Sequence, residues 1–248
     1  MKNISLLITV CFISNSVFSQ YAGQAGLGNG TGVGATSGML QNAVGDIDDQ
    51  YDRLVKKTGI DEFSGSPYVT DDFKSAPVFY DKESMGNFYY RYNAYNEEVE
   101  IKKTALPEEK ISSLTKDKSI KIMVDGHPMG FATFIDKKGN TMNGYLTTLM
   151  KGEKFDLYRR THVKFTEGQK AQNSFVKAVP NRFTHFTEYY YQAKGTNRID
   201  EVVPKSNKLA KLFEEPLRSS VKKYIKENEL DIKEEADLIK VFEYLNGQ

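Results

Sequence analysis

Cysteine is nearly missing from this chain of 248 residues: Cys11 is the only one, and it lies inside the apolar run "ISLLITVCFI". A lipid-modified cysteine would follow a small residue and end such a run. Here Val10 precedes Cys11 and Phe12-Ile13 continue it, which argues against lipid anchoring. A basic excess is also missing. The 34 Lys and Arg face 33 Asp and Glu, and removal of Lys2 with a leader leaves 33 against 33. Nucleic-acid binders carry a surplus of positive charge, so that class is excluded. After residue 20 no apolar run approaches the roughly 20 residues that span a bilayer as a helix. The mature chain is therefore expected to have no transmembrane segment.

Catalytic and metal signatures are equally scarce. The three histidines, His127, His162 and His185, show no H-x-x-x-H or H-x-H spacing. No G-x-S-x-G elbow supports serine nucleophile chemistry. The aspartates of "GDIDDQYDRLVKKTG" (45–59) lack the central glycine and terminal glutamate of a calcium loop. Gly30-x-Gly32-x-x-Ala35 resembles a dinucleotide fingerprint, but no strand precedes it. No catalytic residue, metal ligand or cofactor site is assigned.

What is present begins with an export signal. A short cationic start (Met1-Lys2-Asn3), an apolar core of about 10 residues and the polar end "SNSVFS" occur in the order of a secretory signal peptide. Val17 and Ser19 occupy the small-residue positions, so cleavage is expected between Ser19 and Gln20. The mature chain then has no cysteine, hence no disulfide and no thiol nucleophile. Residues 20–44, rich in glycine, read as a flexible tether that orders, if at all, on a partner.

Residues 45–60 read as a short helix, with Asp46 as cap, Ile47, Tyr51, Leu54 and Val55 on one face, and Gly59 as stop. From 61 to 203 short strands alternate with turns at Asp125-Gly126, 138–140, 151–153 and "KGTN" (194–197). This predicts a curved antiparallel β-meander of about 8–10 strands, a half-barrel or partly closed barrel, with "NSFVKAV" (173–179) among the strands. Residues 205–248 return to helical spacing, with Ser206 and an Asp231/Glu234 capping box opening two or three helices packed under the sheet. The last is expected to bury Ile232, Ala236, Ile239, Val241 and Phe242. The fold class is α+β, with 61–248 a single domain.

The segment "FYYRYNAYNEEVEIKK" (88–103) reads as a hairpin turning at Asn96-Glu97. Phe88, Tyr90, Tyr92, Ala94, Val99 and Ile101 then form a core face. Tyr89, Arg91, Asn93, Tyr95, Glu98 and Glu100 form a polar face, a candidate interaction surface, with Arg91 diagonal to Glu100. The bland reading of that face is an outer sheet surface with cross-strand pairs. A weaker candidate is the strip Tyr158, Arg160, His162 and Lys164, which share one side of a strand and suit an anion.

Three segments, "GSPYVTDDF" (65–73), "YYRYNAYNEEVEI" (89–101) and "AVPNRFTHFTEYYYQ" (178–192), together resemble uncharacterised exported proteins of Bacteroidetes-type bacteria. The resemblance spans most of 65–246. It implies a Gram-negative envelope and carries no activity, so no catalytic residue transfers. Periplasmic or outer-membrane-associated protein–protein contact is the leading expectation. A carrier or chaperone holding an apolar ligand or lipid under the sheet is the second, and a secreted hydrolase the third.

Overall fold

The computed structural model describes residues 43–45, 50–173 and 175–248. The expected signal peptide with Ser19 and Gln20, most of the tether, and Asp46 and Ile47 lie outside the described residues. The described residues all belong to one compact unit. Its strands are β1 (Val44–Gly45), β2 (Phe63–Ser64), β3 (Lys74–Tyr80), β4 (Glu83–Asn93), β5 (Glu98–Lys102), β6 (Ser112–Leu114), β7 (Ile120–Val124), β8 (His127–Ile135), β9 (Thr141–Met150), β10 (Phe155–Thr166), β11 (Asn181–Ala193) and β12 (Ile199–Val202). The helices are α1 (Gln50–Thr58), α2 (Ser206–Ala210), α3 (Leu217–Glu227) and α4 (Glu235–Asn246).

The strands form one twelve-stranded sheet in the order β1-β6-β5-β4-β3-β7-β8-β12-β11-β10-β9, with β2 on β11 and a further pairing of β8 with β9. The sheet is mixed rather than a pure antiparallel meander, because β2 runs parallel to β11 and β12 parallel to β8. Strands β8 to β12 thus make a ring, but not a barrel. Its last seam is the single pair Asp200↔Ile135. That seam is reinforced where the Lys137 amide donates to Glu201 (2.7 Å) and its ammonium pairs with the same carboxylate (3.2 Å).

Turn chemistry fixes most of this path. Asp125 (φ 49°) and Gly126 (φ 84°) make the two-residue link expected between β7 and β8. Among its described residues, the segment 173–179 forms no strand. The Asn173 carboxamide accepts the amides of Phe175 and Val176 (3.0 and 3.1 Å), which turns the chain out of an extended path. Towards the N-terminus, Val44 and Gly45 belong to the sheet, where Val44 pairs with Leu114.

Three apolar clusters hold the unit together. The long β10–β11 hairpin serves two of them with one face. Val163, Phe165 and Phe183 join the core of β3–β5 and β7, and Leu157, Tyr189 and Tyr191 meet the C-terminal helices. Its opposite face lines the ring, where Tyr158 and Tyr190 pack with Phe134 and Leu146. The helix face of α4 is rotated from the expected one. Leu238 and Leu245 are fully buried with Val241 and Phe242, while Ala236 is exposed. Neither α2 nor α4 has a side-chain cap. Instead α4 is pinned at both ends, by Arg159 to Glu235 (2.9 Å) and by Asn246 to the amides of Lys154 and Phe155 (2.8 Å each).

Candidate functional site

The polar face of the β4–β5 hairpin is largely enclosed. Arg91 lies directly opposite Glu100, not diagonal to it, because the pairing is offset by two residues from a two-residue loop. The cause is Asn93, whose Oδ1 accepts the amides of Tyr95 and Asn96 (3.2 and 3.1 Å) and so opens a four-residue turn, 94–97. An offset of two keeps the paired strand side chains on their expected faces, while Tyr95, in the turn, packs on the core side instead. Phe88, Tyr90, Tyr92, Ala94, Val99 and Ile101 are all in the core.

On the other face Asn93, Glu98 and Glu100 are buried, Glu100 to 2 % exposure, and Tyr89 and Arg91 are half-buried. The covering segment is the chain's own residues 66–73. Pro67 accepts the amide of Ala94 (2.9 Å), and Val69 donates to Tyr92 (3.0 Å). Arg91 meets Glu100 at 2.6 Å and lies over the rings of Tyr68 (3.7 Å) and Phe73 (4.7 Å). Burial, and then Glu100, push the Tyr68 hydroxyl up to about 12. Tyr95 turns the other way and packs on Phe183 (5.5 Å).

The strip on β10 is divided. Lys164 is exposed, while Tyr158 is in the ring interior. Arg160 is 8 % exposed and is held by two carboxylates, Glu97 (2.5 Å) and Glu188 (3.1 Å), with Phe134 beneath it (5.1 Å). It is therefore no open anion receptor. Glu97 carries the hairpin turn into the ring. Its Oε2 also accepts the Tyr92 hydroxyl (2.7 Å) and the Tyr145 amide (3.1 Å). Gly144 makes this approach possible, since a Cβ there would sit 2.8 Å from Glu97 Oε2. His162 Nδ1 lies 3.6 Å from Glu188, its ring stacked on Phe186. Burial, then the neighbouring Arg160 and Lys137 against Glu188 and Glu97, holds His162 below its ordinary 6.5.

The other histidines are spread apart. His127 Nδ1 faces the Thr148 carbonyl (3.1 Å) and His185 Nε2 faces that of Ser66 (2.9 Å). Among the described residues no group of three or more His, Cys, Asp or Glu is placed to hold a metal ion, and no helix is long and apolar enough to cross a membrane.

Two features remained hidden in the sequence. The first is the loop between β10 and β11, where Phe175 is 96 %, Val176 48 % and Val179 50 % exposed. Its neck is firm, because Gln169 and Val179 exchange backbone hydrogen bonds (2.9 and 2.8 Å) and Gly168 donates to Asn181 Oδ1 (2.9 Å). The second is a cleft of about 420 Å³ beside the ring, bordered by Lys118, Lys121 and Lys151. Spacing along the chain gives no hint of the second, since strands β8 and β9 separate Lys121 from Lys151. The loop was legible in "NSFVKAV" only as apolar residues, which suit a strand equally well. No protein-family model, curated protein or solved structure matches the chain.

Proposed function

We propose that this chain is an exported protein of the Gram-negative cell envelope, periplasmic or outer-membrane-associated, that works by protein–protein contact as an accessory or assembly subunit. Export rests on the order of cationic start, apolar run and small residues at 1–19. Contact rests above all on the tip of the β10–β11 loop. Leaving a phenylalanine in water forgoes about 1.5–3 kcal/mol of burial, and grouped exposed apolar residues on a firm neck mark interaction sites. Phe175, Val176 and Val179 are such a group, flanked by Lys170 and Lys177. Their partner is a protein offering an apolar pocket.

The candidate surface on the hairpin is reassigned within this reading. With residues 66–73 laid over it, Arg91, Asn93 and Glu100 support the fold, and the loop tip takes over the contact role. A carrier of lipid under the sheet draws less support. The helices α2–α4 pack on one face of the ring strands, and Phe134, Leu146, Tyr158 and Tyr190 occupy the interior.

The test is a photoreactive residue at position 175 in cells, with one at Lys138, in an exposed turn, as control. A discrete adduct from 175, absent from 138 and competed by no lipid extract, is expected. Phe175→Ser with Val176→Ser should lose partner capture while keeping the unfolding midpoint. Adducts to lipid alone, or equal adducts from both positions, would overturn the reading.

A further inference from the structure

We propose that the cleft beside the strand ring binds a small organic anion, a phosphate or carboxylate head on a short apolar body. The inference does not depend on the Phe175 loop. Its volume of about 420 Å³ falls in the range of small-molecule sites. Three separate segments bring cations to its border: Lys118 before β7, Lys121 on β7, and Lys151 between β9 and β10. No acidic residue is among those lining it.

Convergence of like charges costs energy unless something neutralises them. Among the described residues Lys118 and Lys151 make no ion pair. Lys121 is half-buried and donates to a neutral group, the Lys118 carbonyl, at 2.9 Å. Burial, and then Lys151, lower its affinity for a proton, against the pull of Asp117 and Asp81. An anion between these lysines relieves that repulsion.

The body of the ligand is specified by the wall. Leu146, Ile199 and Ala132, which belong to or pack on the ring interior, reach the cleft with Tyr158. The Tyr158 hydroxyl is turned to Gln192 Oε1 (3.0 Å) and Asp156 Oδ2 (3.3 Å). That carboxylate is neutralised by Lys194 (2.7 Å), so it does not cancel the positive border. An apolar wall below cations suits a molecule with both characters, such as an alkyl phosphate or alkanoate.

Calorimetric titration of the intact protein tests this with four probes: inorganic phosphate, hexyl phosphate, hexanoate and hexanol. At least one of the two amphiphilic anions should bind tighter than inorganic phosphate, hexanol should not bind, and the better head group identifies the source. Salt at about 0.5 M should weaken binding several-fold. Lys121→Met and Lys151→Met should each cost about tenfold in affinity. Lys151 is exposed in a loop, so its variant decides the matter if Lys121→Met fails to fold. The proposal is overturned by no saturable binding at about 10 mM of any anion, by hexanol binding as well as hexyl phosphate, by inorganic phosphate matching both amphiphiles, or by unchanged affinity in Lys151→Met.

Discussion

On the β4–β5 hairpin, Arg91 has a carboxylate at 2.6 Å and an aromatic ring at 3.7 Å. Beside the ring, Lys118 and Lys151 have no ion pair among the described residues. The hairpin has turned its charge inward, whereas Lys118 and Lys151 stand exposed at the border of the cleft. A cation matched to a buried carboxylate is part of the fold, because removing either partner strands the other charge. A cation with no internal match contributes little to folding and remains available to something else.

Variants should separate these two kinds of charge. The largest loss is expected from Arg160→Met, which leaves Glu97 and Glu188 without their shared countercharge and releases the hairpin turn from the ring. Unfolding in urea should show about 3 kcal/mol less stability. Asn246→Ala removes the carboxamide that joins the end of α4 to the start of β10. It should cost about 1–3 kcal/mol, with faster amide exchange at Lys154 and Phe155.

A smaller effect follows from His162. Its folded-state proton affinity is below the ordinary value, so at mildly acidic pH the unfolded chain binds more protons than the folded one. Its contribution is therefore complete above pH 6.5 and is lost as pH falls through the lower folded value. His162→Gln should flatten that part of a stability–pH curve while leaving the curve above it parallel to the wild type. A wild-type curve that rises on acidification through this window would contradict the assignment. The smallest effects belong to Lys118→Met and Lys151→Met, expected within about 0.5 kcal/mol of wild type in stability. Their consequence should be confined to anion binding.

Alternation along 88–101 misplaced Tyr95, which sits in the turn and packs on Phe183. Within the two strands it was enough to divide core from polar side chains, because a strand has only two faces. The register was not, since it depended on Asn93 folding back on Tyr95 and Asn96, a choice that Asn96-Glu97 as a turn would not have required. The turns at Asp125-Gly126 and Gly139 were legible because they demand left-handed backbone. Ring closure was not, because it rests on one pair, Asp200↔Ile135, between distant strands. For α4 the expected face included Ala236 and missed Leu238 and Leu245, because the face follows from where Arg159 and Asn246 fix the helix. Most informative is the cover on the polar face. Residues 66–73 show little periodicity, and their role emerges only when Tyr68 and Phe73 flank Arg91.

The division between inward and outward groups is tested most directly by comparing urea unfolding of Arg91→Met with that of Phe175→Ser. Arg91→Met leaves Glu100, 2 % exposed, without its cation and should lower stability by about 2–3 kcal/mol. Phe175→Ser changes a side chain that is 96 % exposed and should stay within about 0.5 kcal/mol of wild type. An Arg91 variant as stable as wild type, or a Phe175 variant that loses as much as Arg91→Met is expected to, would contradict the account.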